Sequence, residues 1–133
     1  MKLTRRYRFS ASHRLDTPAL SEEQNRRLYG KCNNPYGHGH DYVLDVTVAG
    51  EPDESGQIVR REALDELVRE RILTRFDHHN LNTDIPELAG VVATTENLAV
   101  AIESALRPWP LPAKLFGVRI SETERNIFEL EAK

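Results

Sequence analysis

Apolar and polar side chains alternate from the first residues, with Leu3, Tyr7, Phe9 and Ala11 on one side of the period and Lys2, Thr4, Arg6, Arg8 and Ser10 on the other. Period two is the mark of a half-buried strand, so the spacing predicts a strand that ends near His13. A second alternation runs from His38 to Val48, with His38, His40, Tyr42, Leu44, Val46 and Val48 sharing one face. It stops at the turn-forming run from Gly50 to Gly56. Gln57 to Arg60 then reads either as a short return strand or as a lead into helix. From Arg61 to about Arg75 the period changes. Leu64, Leu67, Val68, Ile72 and Leu73 trace one stripe of a helix, which leaves Glu62, Asp65, Glu66, Arg69 and Glu70 for water.

Asn82 to Val92, with Pro86 and Gly90, reads as a connection. A second helix is predicted to begin at Thr94, an N-cap with Glu96 in the first turn, and to carry Leu98, Ala101, Ile102, Ala105 and Leu106 at helical spacing. Pro108, Pro110 and Pro112 stop it. Phe116, Val118, Ile120 and Glu122 alternate as a third strand, and Thr123-Glu124-Arg125 turns the chain into a fourth at Asn126 to Leu130. The order is ββααββ, an α+β unit with a four-stranded antiparallel sheet and two helices on one face. Such a thin sheet leaves edges and apolar surface unprotected, so self-association through the sheets is expected.

At 133 residues, 39% hydrophobic and 29% charged, the composition is that of an ordinary globular protein, and residues 1–133 are expected to form a single domain. The lone cysteine, Cys32, cannot form an intrachain disulfide, which favours a reducing, cytoplasmic setting and marks the thiol for chemistry. No stretch is apolar enough to span a membrane, and the Arg-rich start lacks the apolar run of a secretory signal. A net charge of -3 argues against nucleic acid as the main partner, although a few local Arg or Lys groups could still hold an anionic substrate.

Three histidines form the first candidate constellation. Alternation gives His38 and His40 the same face and puts His13 on the apolar face of its own strand. If the two strands pair antiparallel, three imidazoles converge, the usual donor set of a catalytic zinc with an open position. Imidazoles also suit iron, nickel or copper, and His38 and His40 could equally be ordinary strand residues. Cys32 lies in a loop rich in Asn, Pro and Gly that feeds the His38 strand. Near a cation it would be a candidate thiolate base, and otherwise a small buried apolar residue. Asp77 and His78 could be an acid–base pair, or a turn residue and a helix-terminal cation. Glu122 shares a face with Ile120, so it either has a partner or sits at a solvated sheet end. The N–H donors of a ligand could supply that partner.

Phe9-Ser10-Ala11-Ser12-His13-Arg14, the block from Gly30-Lys31-Cys32 through Gly37-His38-Gly39-His40-Asp41-Tyr42, Asp77-His78-His79-Asn80-Leu81, Thr94-Thr95-Glu96-Asn97 and Glu122-Thr123 together resemble the 6-pyruvoyl tetrahydropterin synthase family. The likeness extends over nearly the whole chain. It implies a tunnelling fold (T-fold), with subunits joined into an oligomeric β-barrel, a homohexamer built as a dimer of trimers with active sites between subunits. It implies Zn2+ held by His13, His38 and His40. It also implies Cys32 as general base in a relay with Asp77 and His78, and a pterin held by Glu122, Thr95 and Glu96. The activity implied is that of a lyase converting 7,8-dihydroneopterin triphosphate to 6-pyruvoyl tetrahydropterin with loss of triphosphate. Asp41 and His79 stand where the family commonly has Asn and Lys, and Lys31 and Arg14 are candidate phosphate contacts. The sister enzyme 6-carboxytetrahydropterin synthase of deazaguanine biosynthesis is the nearest alternative, and its loop between Cys and the HxH pair is typically shorter. A non-catalytic pterin- or metal-binding module is the remote one.

Overall fold

The two N-terminal alternations pair with each other. In the computed structural model, which describes residues 1–133, β1 (Lys2–His13) and β2 (His38–Ala49) run antiparallel from Lys2 opposite Ala49 to His13 opposite His38. β4 (Lys114–Ser121) lies antiparallel to the other side of β2, and β5 (Ile127–Glu131) closes a hairpin with it. A two-residue strand, β3 (His79–Asn80), adds parallel to β1, so the sheet has five strands in the order β3-β1-β2-β4-β5 rather than the expected four.

One face of this sheet carries Phe9, Tyr42, Leu44, Val46, Val48, Val118 and Ile120, all buried. The helices cover it. α2 (Arg61–Val68) runs through a π-helical turn at Arg69–Leu73 into α3 (Thr74–Phe76), so the predicted helix is one stretch with a wider turn inside it. Leu64, Val68, Ile72 and Phe76 from this stretch join Leu98 and Ile102 of α4 (Thr95–Ala105) and the sheet residues in a single cluster of 25 buried residues. Burying each large side chain stabilises the fold by about 1.5–3 kcal/mol, which is what fixes the sheet that carries the histidines. α4 starts where its cap predicts, with the Asn97 amide donating to Thr94 Oγ1 at 3.2 Å. No helix is long and apolar enough to cross a membrane.

Three further expectations change. A further helix, α1 (Glu22–Tyr29), lies between β1 and β2. It is capped by Ser21 and Gln24, which exchange hydrogen bonds with each other's backbone. Asp65 does not simply face water, because it accepts from Arg5 Nε and Nη2 (3.1 and 2.6 Å) and from the Tyr7 hydroxyl (2.7 Å). Phe116 does not share the core face with Val118. The register between β2 and β4 slips at Thr47/Val48, so Leu115 takes the buried position and Phe116 is exposed with the Lys2 ammonium 3.5 Å above its ring.

Candidate metal centre and active site

The histidines meet because of the β1–β2 register. His13 is the cross-strand partner of His38, and Ala11 is that of His40, so His13, His38 and His40 occupy neighbouring positions of one face. Their ring centroids are 4.4 to 5.3 Å apart. The short 3-10 turn Gly30–Asn33 brings Cys32 to the same end of the sheet. It is stitched to the exit of β1, since the Leu15 amide donates to the Cys32 carbonyl (2.6 Å) and Asn33 Nδ2 donates to the Leu15 carbonyl (2.8 Å). Cys32 Sγ is then 2.9 Å from His38 Nε2.

One donor atom from each of His13, Cys32, His38 and His40 falls within 4.8 Å of the others, so this quartet can hold a metal ion. Three further observations fit that role. His13 Nδ1–H donates to the Ala93 carbonyl at 2.8 Å, which sets the tautomer and leaves Nε2 with a free lone pair. His13 Nε2 and His40 Nε2 are both buried without a hydrogen-bond partner, a costly arrangement unless a ligand uses them. Burial pushes the pKa of both rings down, toward the neutral form that binds metal.

Glu122, at the end of β4, reaches back over this centre. Its Oε1 is 3.2 Å from His40 Nε2 at ion-pair distance, though without the alignment of a hydrogen bond. Burial, and secondly the Glu122 charge, push the Cys32 thiol above its ordinary pKa. The Tyr42 hydroxyl, raised mainly by burial, lies fully buried beneath the histidines with no partner.

Asp77 and His78 are elsewhere. The Ser10 amide donates to Asp77 Oδ1 (2.8 Å), the main cause of its lowered pKa, and His78 Nδ1 lies 3.0 Å from Asp77 Oδ2. His78 is held at φ 60°, in the left-handed region that non-glycine residues rarely adopt. With His79 it lines a recess of about 300 Å³ whose wall also includes Ser10, Ala11, Ser12, Gly39, His40 and Asp41. Ser10, Ser12, Gly39 and Asp41 alternate to the sheet face opposite His13 and His40, and the contacts of the Asp77–His78 pair run to each other and to Ser10, with none to Cys32, which meets His38 instead. His79 turns back on Asp77, its Nδ1–H donating to the Asp77 carbonyl (2.8 Å), and Asp41 bonds Ser10 on the outer face, away from the histidines.

Thr95 is buried at the start of α4, two residues beyond the Ala93 carbonyl, and its hydroxyl has no partner. Glu96 is exposed beside it. The Ala93 carbonyl itself went unread in the sequence. Its only trace there is Asn97, whose Nδ2 donates to the Val92 carbonyl (2.7 Å) and pins the segment.

The family profile described as 6-pyruvoyl tetrahydropterin synthase matches residues 2–133. A 6-pyruvoyl tetrahydrobiopterin synthase of Poecilia reticulata is 48% identical over 127 residues, covering 94% of this chain and 86% of the relative. The Homo sapiens protein of the same name is 46% identical over 127 residues, covering 95% and 88%. The solved structure of Caenorhabditis elegans 6-pyruvoyl tetrahydropterin synthase superposes with a TM-score of 0.92 at 36% identity, covering all of this chain and 96% of that one.

Proposed function

Because the chain belongs to the 6-pyruvoyl tetrahydropterin synthase family, we propose that this lyase converts 7,8-dihydroneopterin triphosphate to 6-pyruvoyl tetrahydropterin with release of triphosphate. The observation that carries the reading is Cys32 Sγ at 2.9 Å from His38 within the three-histidine cluster, with Glu122 beside His40. An acid–base group, a metal-binding set and an anchoring carboxylate then share one sheet end.

His13, His38 and His40 would hold Zn2+, and Cys32 is left as a base rather than a permanent ligand. Bound there, zinc supplies Lewis acidity toward the substrate's side-chain hydroxyls and a charge that favours the Cys32 thiolate. Cys32 removes the proton from the adjacent side-chain carbon. Glu122 accepts from the ring N–H groups of the pterin and so orients the side chain over Cys32. Thr95 would support the ring from the start of α4, and Glu96, exposed beside it, would add a second contact. Asp77 orients His78 for proton transfer to the ring.

That last pair makes no contact with Cys32 in its own chain, and on this reading it serves a Cys32 of a neighbouring copy. The open edge of β5 and the exposed Ile127 agree with self-association, for which we propose a homohexamer.

The decisive experiment is incubation of zinc-loaded protein with 7,8-dihydroneopterin triphosphate under anaerobic, reducing conditions, with the pterin identified by mass. A pyruvoyl side chain with free triphosphate supports the proposal. A carboxyl product with acetaldehyde moves the chain to the 6-carboxytetrahydropterin synthase reaction, and zinc binding without turnover leaves a binding module.

A further inference from the structure

A cavity of about 680 Å³ opens beside the metal centre and is lined by Arg14, Arg26 and Lys31 together with Asp16, Glu22 and His38. Three cations face two carboxylates here, a local positive excess in a chain whose net charge is -3. The cations are also poorly used. No carboxylate lies within salt-bridge distance of Arg26 or Lys31, and Arg14 has only a distant one, Asp16 at 3.9 Å. Its Nε makes a long bond to the Asn33 carbonyl at 3.3 Å. By contrast Arg27, the next residue on α1, is paired with Glu23 at 2.6 Å.

The position matters as much as the charge. Lys31 directly precedes Cys32 in the 3-10 turn, and His38, whose Nε2 meets Cys32 Sγ, forms one end of the cavity. A substrate with its reacting carbon at Cys32 has room for an anionic arm on this side. Glu122, whose Oε1 lies 3.2 Å from His40 Nε2, puts a carboxylate beside that other histidine, where such an arm would be repelled.

We propose that this cavity, walled by α1 and the Gly30–Asn33 turn, seats the polyphosphate arm of the substrate, with Arg26, Lys31 and Arg14 as its cationic contacts. The assignment rests on the functional reading above. It adds α1, and Arg26 in particular, as the element that selects a triphosphorylated over a dephosphorylated pterin. Free guanidinium and ammonium groups bind phosphate oxygens by charge-assisted hydrogen bonds, and such contacts weaken with salt.

The test is calorimetric titration of inorganic tripolyphosphate into the full chain after removal of metal by chelation, so that coordination to an ion contributes nothing. Wild type is expected to bind, and Arg26→Ala to bind about tenfold more weakly, the scale of one charge-assisted contact. Arg27→Ala removes a neighbouring charge of the same sign that is already paired, and is expected to bind like wild type. Equal weakening in both variants, or none in Arg26→Ala, overturns the proposal. In the same preparations, turnover of 7,8-dihydroneopterin triphosphate separates the two readings. Turnover with an affinity indifferent to Arg26 sinks the cavity assignment alone. Arg26-dependent tripolyphosphate binding without turnover sinks the reaction assignment alone.

Discussion

Replacing Gly37 with alanine perturbs the loop that delivers His38 without removing a polar group. Gly37 has φ +72°, and a Cβ there would lie 2.7 Å from the His13 carbonyl oxygen and 3.1 Å from its carbon. A left-handed backbone costs an L-residue about 1–2 kcal/mol. Relieving the contact requires the loop or the end of β1 to move by several tenths of an ångström, an overpacking penalty of about 1–3 kcal/mol. The expected destabilisation is about 2–5 kcal/mol, to be read from urea unfolding at fixed protein concentration. Because the atoms forced apart belong to the backbone of His13 and the residue before His38, metal affinity falls too, by about tenfold or more in a competition titration with a chromogenic chelator. Gly39→Ala is the control. A Cβ at Gly39 meets nothing closer than the Ala11 carbonyl at 3.7 Å, an ordinary contact, so its change is expected within about 0.5 kcal/mol. If the two variants unfold alike and bind metal alike, the argument that the Gly37 turn positions the cluster is wrong.

Chelation of the metal is expected to abolish turnover and zinc to restore it, measured by pterin product formation; full activity in a metal-free preparation refutes the proposed role of the histidines. Cys32→Ala should retain metal, since three imidazoles remain, while losing about 10²–10⁴-fold in turnover; an unchanged rate assigns the base elsewhere. Hydrogen bonding from Arg5, and then Tyr7, lowers the Asp65 pKa in the folded chain, so its contribution is present above the ordinary carboxylate range near pH 4 and is lost as pH falls through the lower folded value. Asp65→Asn should therefore flatten the acid limb of a stability–pH curve, and an unaltered limb removes Asp65 from that account. Mixing Cys32→Ala with His78→Ala subunits by co-refolding should recover activity in about a quarter of the sites if each site draws on two copies. Activity no greater than the sum of the separate variants would place the relay within one chain.

The parts of the fold legible in sequence are those set by period alone. β1 and β2 bury one face each, so alternation identifies His13, His38 and His40 as members of that face, and antiparallel pairing brings them together. α1 escaped because it buries no apolar stripe. Asn25 is its only buried residue, and its one signal is the Ser21–Gln24 cap. Asp65 was misread because helical period says which way a side chain points but not that Arg5, a cation on the inner face of β1, waits there. Phe116 was misread because a single bulged residue inverts alternation beyond it, and nothing in the strand's own composition marks the slip.

The position of Cys32 depends on a backbone bond from Leu15 N–H to the Cys32 carbonyl, which any residue could make, and on the Asn33 side-chain amide, whose partner, the Leu15 carbonyl, leaves no pattern to read. Asp77 and His78 fail to join Cys32 for a different reason. Period assigns a residue to a face of its own strand, but these two follow α3 and reach the sheet at the outer edge of β1, where His78 N–H donates to the Ser10 carbonyl. Ser10, Ser12, Gly39 and Asp41, which help to wall their recess, alternate away from the face of the three histidines. On the proposed function, a relay that uses both groups calls for a second copy to bring its outer edge to the metal-bearing end of the first. The arrangement of one chain thus sets the geometry that its assembly has to satisfy.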